Sequence, residues 1–399
     1  MSYIQKDYIK IDLITSLIII LSLAFIMFLP VENYGSFELV HSKLIKMVLI
    51  LGITFLLIIN NWRESIKLNP LTLLLICYMS LTTINLVVSS NQVGTLIKWG
   101  QFLNITLFII LFSQKSLVKE YLRTKFPSIV AISTLIIFTL VIFQLYLDIL
   151  WPQSVINSVT GKEKPVALFN NTNGMSGFLV LSNLYLLWFL IYNNFKVYYL
   201  FTFLLGIVAL YLGESMGAYL SFTFGTIFLF LYKFKKIKIA SFFVILLSFI
   251  VLLLTIFSPF FLNIITNILE KEARYALWYT TILIIKDYWL TGIGNYNFNN
   301  MLHLYGFISP YGAEHPHPHN IFLDLLVTYG IVGLIISILI LFTLFKYLFS
   351  SLKKDHIHIK LITVLLFSSL LRDVIDGGFL LGTSSVAIYL YLIVALYSD

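Results

Sequence analysis

Long apolar runs separated by short polar segments make up most of the 399-residue chain. A run of about 18 apolar residues is long enough to cross the hydrocarbon core of a bilayer as a helix. Helices are also the only open-ended structure that satisfies its backbone hydrogen bonds within lipid. We therefore predict an all-α polytopic membrane protein with about twelve transmembrane helices. The predicted spans are 11–29, 44–59, 71–89, 97–112, 128–151, 174–192, 197–212, 218–232, 239–258, 320–345, 359–371 and 383–398.

The amino-acid composition also indicates a membrane protein. The chain is 59% hydrophobic and 11% charged, whereas soluble domains carry about 25% charged residues. Its single cysteine, Cys77, lies in a predicted span and excludes a disulfide framework. The net charge of +8 is explained largely by the topology of the spans, so we expect no nucleic-acid partner. We find no internal repeat and no linker, which predicts a single integral membrane domain over residues 1–399.

Basic residues set the predicted orientation, because cytoplasmic loops of membrane proteins carry an excess of Lys and Arg. With the amino terminus inside, 17 of the 26 basic residues fall on inner segments. Counting residues 274–290 as a further span would move the basic cluster at 346–360 to the outside. We therefore predict an interfacial or re-entrant helix at 274–290. It lies in the longest outer loop, 259–318, which we expect to be partly helical and to carry part of the active site.

The segment EHPHPHN at 314–320 holds three of the seven histidines of the chain. Pro318 cannot continue a helix backwards and Asn320 is a good N-cap, so a helix is predicted to begin here. The start of a helix carries partial positive charge and free N–H groups, which favour a phosphate anion and disfavour a charged imidazole. His319 is therefore a candidate general base at the outer membrane surface. A lone histidine there is more often an ordinary interfacial residue, and position alone leaves that alternative open.

The spacing around His319 bears on a metal site and on helix packing. The prolines favour polyproline II, in which successive residues turn by about 120°, so His315, His317 and His319 are expected to point in three directions. No Cys or tight acidic cluster in the sequence completes a zinc set, and no metal is predicted.

On a continuous helix, Gly330 and Gly333 fall within about 20° and 40° of His319 around the helix axis. This predicts a glycine face against which another helix packs closely.

Basic and aromatic residues on the same outer side are candidate ligands for an anion. Arg274 precedes Trp278 by one helical turn, and arginine binds phosphate oxygens in pairs. Interfacial anchoring is the simpler alternative for Arg274. Other polar groups near the outer ends of spans are either functional or ordinary helix-end residues. They are Lys98, Lys162, Lys164, Glu214, Arg372, Asp373 and Asp376.

Three motifs resemble those of one known family. The pattern His-Asn, nine residues, Gly-x-x-Gly occurs as HN-IFLDLLVTY-GIVG, from His319 to Gly333. An Arg-x-x-x-Trp helix followed by a Gly-x-Gly turn occurs as RYALWYTTILIIKDYWLTGIGNYNF, and a Phe-x-x-x-Asn turn before a span occurs as FNNTNGMSGF. Together, over about 165–335, these motifs resemble the O-antigen ligase family. That family includes lipopolysaccharide O-antigen ligases and many Wzy-type polysaccharide polymerases.

One position departs from the family pattern. Where the family often has Ser-Arg-Gly-Ala at the start of a span, this chain has ESMGA at 214–218, with Met216 in place of the arginine. If that arginine binds pyrophosphate in relatives, another cation substitutes for it here. The candidates are Arg372, Lys164 and Lys98.

The resemblance implies a metal-independent, inverting glycosyltransferase without a cofactor, on the outer face of the bacterial cytoplasmic (inner) membrane. The donor would be a glycan on undecaprenyl pyrophosphate, used in cell-surface polysaccharide biosynthesis. The acceptor would be another lipid-linked repeat for a polymerase of capsule or exopolysaccharide, or lipid A–core for a ligase of lipopolysaccharide, and the sequence leaves both open. A chain-length regulator protein is a further candidate partner. The implied roles are catalytic base for His319; pyrophosphate binding for Arg274, Arg372 and Lys164; acceptor binding or support for His317, Asn320 and Trp278; and helix packing for Gly330 and Gly333.

Two other functional classes fit parts of the pattern. A transporter or flippase for lipid-linked oligosaccharide would also need about twelve spans, but its usual signs are repeated halves and broken helices with charges near the midplane. The sequence shows no evident repeat, and its polar cluster lies at one face. A membrane scaffold without chemistry would not explain the clustered His-Asn and Arg-Trp motifs. Glycosyl transfer is therefore the favoured interpretation.

Overall fold

The computed structural model is almost entirely helical over the residues that it describes, which confirms the predicted all-α class. The described residues are 92–114, 116–146, 155–156, 163–167, 169, 172–193, 196–234, 273–295, 297–307, 317–352, 357–375 and 385–397, with positions 52, 76, 79–80, 82–83, 85–86 and 89. The helices with described bounds are α1 Gln92–Gln114, α2 Ser116–Tyr146, α3 Thr172–Tyr192, α4 Val197–Leu212, α5 Met216–Lys233, α6 Ala273–Tyr288, α7 Phe298–Leu304, α8 Ile321–Leu352, α9 Ile357–Ile375 and α10 Ser385–Tyr397. A short antiparallel pair, β1 Val155–Ile156 and β2 Glu163–Lys164, lies between α2 and α3.

Three helices in the described part of the chain are long and apolar enough to cross a membrane. They are Leu122–Tyr146, Thr172–Tyr192 and Ile321–Thr343. Val197–Leu212 is a shorter apolar helix. The full count of about twelve spans stays a prediction, because the spans expected at 11–29 and 239–258, and all of 44–59 except position 52, lie outside the described residues.

Helix bounds follow the apolar pattern closely in the middle of the chain. The span predicted at 174–192 is found at Thr172–Tyr192, and the one predicted at 197–212 is found at Val197–Leu212. The helix α2 instead begins at Ser116, twelve residues before the predicted start at 128. Its first turns contain the charged residues Lys119 to Lys125. A helix needs apolar side chains only where it meets lipid, so the charged stretch extends α2 beyond the apolar run.

The helix α3 lies at the centre of the largest packing unit, here called the α3 core. It packs against α2, α4, α5, α9 and α10. Its Tyr185 and Trp188 are almost completely buried. The hydroxyls of Tyr185 and Tyr397 are 2.6 Å apart, and Phe126 meets the Tyr185 ring edge-on at 5.4 Å between centroids. Large aromatic rings with satisfied hydroxyls therefore fix these helices against one another.

A second, smaller packing unit joins α6, α7 and the first part of α8. Its buried side chains are Leu277, Ile284, Ile293, Phe298, Leu302, Phe307 and Val327. The same part of α8 also sends Ile321, Leu325 and Tyr329 into the α3 core. The start of α8 therefore lies where the two units meet, and this is where the His-Asn motif is found.

Candidate active site

The side chain of Asn320 caps the start of α8. Its Oδ1 accepts hydrogen bonds from the backbone N–H groups of Phe322 and Leu323, at 3.0 and 3.1 Å. Its Nδ2 donates to the carbonyl of Val374 at 3.0 Å, near the end of α9. The predicted N-cap is therefore confirmed, and the same side chain also fixes the start of α8 to α9.

His319 has a left-handed backbone, with φ +54°. Histidine adopts this conformation more readily than most residues, at a cost of order 1–3 kcal/mol. Its backbone N–H donates to Nδ1 of His317 at 3.2 Å. Because an accepting Nδ1 carries no proton, this bond assigns the proton of a neutral His317 ring to Nε2.

The left-handed turn at His319 overturns the expectation that the histidines point apart. The His317 and His319 rings lie edge to face, with their centroids 4.4 Å apart. The polyproline II geometry on which that expectation depended ends at His319, where φ changes sign. His315 lies outside the described residues. Within the described residues, no group of three His, Cys, Asp or Glu side chains is placed to hold a metal ion.

Trp278 ties α6 to the histidine segment. Its indole Nε1–H donates to the carbonyl of Pro318 at 2.7 Å. The bond crosses forty residues of sequence and fixes the residue immediately before His319. Arg274 lies one turn before Trp278, in the first turn of α6. The motif residues Arg274, Trp278 and His319 are thus carried by two connected segments.

The helix α8 is broken at Gly330, where φ is 67° and ψ is −170°. The unbroken helix used to place Gly330 and Gly333 near His319 is therefore wrong at this point. A Cβ added to Gly330 would overlap the backbone of Leu290 and Thr291, and one added to Gly333 would overlap Tyr329. Gly330 thus permits the close approach of a turn, where the approach of another helix was expected.

The turn that meets the break is the Gly-x-Gly turn after α6. Gly292 and Gly294 both have positive φ. The N–H groups of Ile293 and Gly294 donate to the carbonyls of Val327 and Thr328, at 2.8 and 3.1 Å. The N–H of Ile331 donates to the carbonyl of Trp289 at 2.8 Å. We call residues 289–295 and 327–331 the α6–α8 joint, because each segment satisfies backbone groups that the other leaves open.

Arg372 is buried near the end of α9. Its Nη2 donates to the carbonyl of Asn173 in the FNNTNG segment, and a Cβ added to Gly177 would overlap its guanidinium. Two residues later, the carbonyl of Val374 binds Asn320. The end of α9 therefore connects this cation to the cap of α8. Of the other two candidate cations, Lys164 lies in β2 opposite Val155 and Lys98 lies in α1.

A hydrogen bond fixes the end of α7 to α6. The Tyr305 hydroxyl donates to the Asp287 carboxylate. This bond stabilises the protonated phenol and raises the pKa of Tyr305 to about 12. The contact helps to hold the helix that carries Arg274 and Trp278.

None of the three sequence motifs that resemble the family contains Asn85, although the structure places its side chain in the α6–α8 joint. It hydrogen-bonds to Thr328 and Asn295, more than 200 residues away in the sequence. The one sequence signal for it is an amide inside an apolar span, at 71–89. Such amides recur in other spans, so the signal does not distinguish this residue.

Residues 201–338 match the family model described as O-antigen ligase. The matched segment contains Arg274, Trp278, His317, His319 and Asn320, together with both halves of the α6–α8 joint. No curated protein matches the chain. Residues 201–338 are thus similar to the O-antigen ligase family, in agreement with the motifs that resemble it.

Proposed function

We propose that the protein is a membrane glycosyltransferase that transfers a glycan from undecaprenyl pyrophosphate to an acceptor hydroxyl. The acceptor is either another lipid-linked repeat or lipid A–core. One observation carries the proposal. Within the family-matched segment, His319 sits at the capped start of α8, against His317 and beside the Pro318 carbonyl that Trp278 binds.

In the proposed reaction, His319 acts as the general base. It takes the proton of the acceptor hydroxyl as that oxygen forms a bond to the anomeric carbon. The bond between the anomeric carbon and the pyrophosphate oxygen breaks, and the pyrophosphate leaves with the electron pair. Attack from the face opposite the leaving group inverts the anomeric carbon. Pyrophosphate is already a good leaving group, so the proposal includes neither a metal ion nor a cofactor.

The leaving pyrophosphate needs positive groups, and the chain offers several near its outer side. Arg274, Arg372 and Lys164 are the proposed ligands, together with the N–H groups at the start of α8. The burial of Arg372 beside Asn173 and Gly177 favours it as the substitute for the arginine that Met216 replaces. Met216 itself is 70% exposed at the start of α5.

The neighbours of His319 have proposed supporting roles. His317 accepts the N–H of His319 through Nδ1, and its proposed role is to support His319 or to bind the acceptor. Asn320 sets the direction of the first turn of α8. Trp278 holds the Pro318 carbonyl and so sets the position of the histidine segment relative to α6.

The proposed setting is the bacterial cytoplasmic membrane, with the active site on its outer face. About twelve spans form one integral membrane domain, and the outer loop 259–318 carries α6 and α7. The family match and the apolar helices support a membrane enzyme of polysaccharide synthesis. A chain-length regulator is the proposed protein partner for a polymerase that makes capsule or exopolysaccharide.

A second candidate function is translocation of the lipid-linked oligosaccharide. The break in α8 at Gly330 favours it, because transporters use discontinuous helices at their substrate sites. In this chain the carbonyls of Val327 and Thr328 accept hydrogen bonds from the turn after α6. The break is thus filled by protein, and glycosyl transfer remains the better-supported function.

The test is reconstitution of the purified protein in liposomes with lipid-linked repeat units extracted from the source bacterium. Ladders formed from the donor alone identify a polymerase, and product formed only with added lipid A–core identifies a ligase. Translocation without a new glycosidic bond identifies a transporter and overturns the proposal.

His319→Ala should lower the rate of glycan transfer by at least about 100-fold, since general-base catalysis contributes that much. His303→Ala, an exposed histidine on α7, is the matched control. Normal product length and yield from His319→Ala would remove His319 as the base.

A further inference from the structure

The side chain of Asn85 bridges both halves of the α6–α8 joint. Its Nδ2 donates to the carbonyl of Thr328 at 3.1 Å, and its Oδ1 accepts the N–H of Asn295 at 2.9 Å. Thr328 belongs to α8 and Asn295 to the turn after α6. One amide from a distant part of the chain thus binds both segments at once. Asn85 is only 3% exposed, so these bonds do not compete with solvent.

Ser89 extends this bridge by one helical turn. Its Oγ donates to the carbonyl of Asn295 at 3.3 Å and accepts hydrogen bonds from Asn297 Nδ2 at 3.2 Å and Thr95 Oγ1 at 2.8 Å. One donated and two accepted bonds use the full capacity of a hydroxyl. Asn297 Nδ2 also donates to the carbonyl of Ile293 at 2.6 Å, inside the joint.

Close packing between Gly294 and Ser89 fixes the position of Ser89 against the turn after α6. Gly294 has a positive φ, and a Cβ added to it would lie 2.5 Å from Cβ of Ser89. Ser89, Thr95, Asn295 and Asn297 are all less than 5% exposed. Buried, hydrogen-bonded polar groups of this kind favour one arrangement, because a shift that breaks these bonds leaves a donor or an acceptor without its partner.

The Asn85 bridge and Trp278 fix the helix α6 near opposite ends. The joint fixes the turn that follows α6, at residues 289–295, and the Trp278–Pro318 bond fixes α6 near its start. From Tyr288 back to Arg274 the helix rises about 21 Å. A tilt of about 3° at the joint would therefore move Arg274 by about 1 Å, and a misplacement of that size is large enough to lower catalysis by up to about 100-fold.

We propose that Asn85, supported by Ser89, is a positioning residue for glycosyl transfer. It locks the α6–α8 joint and so sets the distance between the helix that carries Arg274 and the segment that carries His319. The inference rests on the proposed function, because it assumes that these two residues act on the same substrate. Asn85 touches neither substrate nor reacting atoms in this proposal.

The first measurement compares Asn85→Ala with Asn183→Ala. Asn183 is also a buried asparagine, but it lies in α3, where its amide makes no hydrogen bond among the described residues. In the reconstituted protein, Asn85→Ala should lower kcat by about 10- to 100-fold per folded molecule. Asn183→Ala should leave kcat within about twofold of the wild type. Equal effects of the two substitutions on kcat would overturn the proposal.

The second measurement is a double-mutant cycle with Trp278→Phe. If Asn85 and Trp278 set the same distance, their combined effect on kcat should differ from the product of the single effects. Asn183→Ala combined with Trp278→Phe should give the simple product. A simple product for the Asn85–Trp278 pair would show that the two act independently and would contradict the proposal.

The third measurement separates a failure of this proposal from a failure of the proposed function, because it does not use activity. Hydrogen exchange is followed for peptides that contain residues 289–295 and 317–320. Asn85→Ala should speed exchange in both peptides, since loosening the joint frees the histidine segment through α6. Faster exchange in 289–295 alone would mean a local role and would overturn the proposal. If Asn85→Ala does not fold, Ser89→Ala is measured in the same way, with the same expected and contradicting results.

Discussion

The α3 core and the α6–α8 joint are both buried, but they are stabilised by different interactions. In the α3 core the helices are regular and meet through aromatic and aliphatic side chains. In the joint, Gly292, Gly294 and Gly330 have positive φ, and backbone hydrogen bonds run between two segments. Side-chain packing tolerates small changes, whereas this backbone geometry depends on the absence of a Cβ at defined positions. Substitutions in the joint should therefore affect transfer most, and those in the core should affect stability.

The largest effect is expected from Gly330→Ala. The new Cβ would overlap the backbone of Leu290 and Thr291, and an alanine is strained at φ +67°. The joint should open, and transfer should fall by at least about 100-fold in protein that still inserts. The measurement is the transfer rate per folded molecule in liposomes. Gly306→Ala is the control, because Gly306 has φ +76° with open space around its Cβ position. If Gly330→Ala and Gly306→Ala lower the transfer rate by the same factor, the cause of the loss is backbone strain and not overlap with Leu290 and Thr291.

A smaller loss is expected from Arg274→Ala, on the helix that the joint positions. Removing a charged hydrogen bond costs about 1.5–3 kcal/mol, so donor KM should rise by about 10- to 100-fold. Acceptor KM should change much less. Lys286→Ala, also on α6, serves as the control. Unchanged donor kinetics in Arg274→Ala would exclude it from the pyrophosphate site.

Gly177→Ala tests the place where the α3 core meets the site. The added methyl group would displace the Arg372 guanidinium. We expect a loss of about 1–3 kcal/mol in the free energy of unfolding from overpacking, together with a several-fold rise in donor KM. Gly225→Ala should give a similar loss of stability, because its methyl overlaps Ser368 and Leu184, without a change in donor KM. The same donor KM in both variants would argue against Arg372 as a pyrophosphate ligand.

The smallest effect is expected from Tyr185→Phe in the α3 core. The change removes the hydroxyl that lies 2.6 Å from that of Tyr397 and keeps the ring. The free energy of unfolding should fall by about 0.5–1.5 kcal/mol, seen as a lower Tm. The transfer rate of folded protein should stay at the wild-type level. A large loss of transfer would show that the α3 core and the joint are not functionally distinct.

Regular helices were predictable because they depend on patterns within a few residues. The apolar runs predict α3 and α4 to within two residues, and the Pro318–Asn320 pair predicts the start of α8. Each of these features is decided by local chemistry, namely lipid contact, ring geometry and capping.

The joint could not be predicted in the same way. The residues around Gly330 fit an apolar helix with a tolerated glycine as well as they fit a break. The carbonyls beside the break accept hydrogen bonds from the Gly292–Gly294 turn, which lies 36 residues earlier, and from Asn85, which lies more than 200 residues earlier. The contact between the His317 and His319 rings was missed for a related reason. The positive φ at His319 occurs together with the cap at Asn320 and the Trp278–Pro318 bond, and the second of these joins residues forty positions apart.

The break at Gly330 also indicates how deep the α6–α8 joint lies in the bilayer. In the proposed topology, the exposed Lys346 marks the inner boundary of the bilayer at α8. Sixteen residues of helix separate it from Gly330, a rise of about 24 Å across a hydrocarbon layer of about 30 Å. The turn after α6 would then dip about 6 Å below the outer surface to reach the open carbonyls. Polar backbone at that depth is tolerated only where protein covers it, so this part of the protein would displace lipid of the outer leaflet, the leaflet from which the proposed prenyl-linked donor would enter.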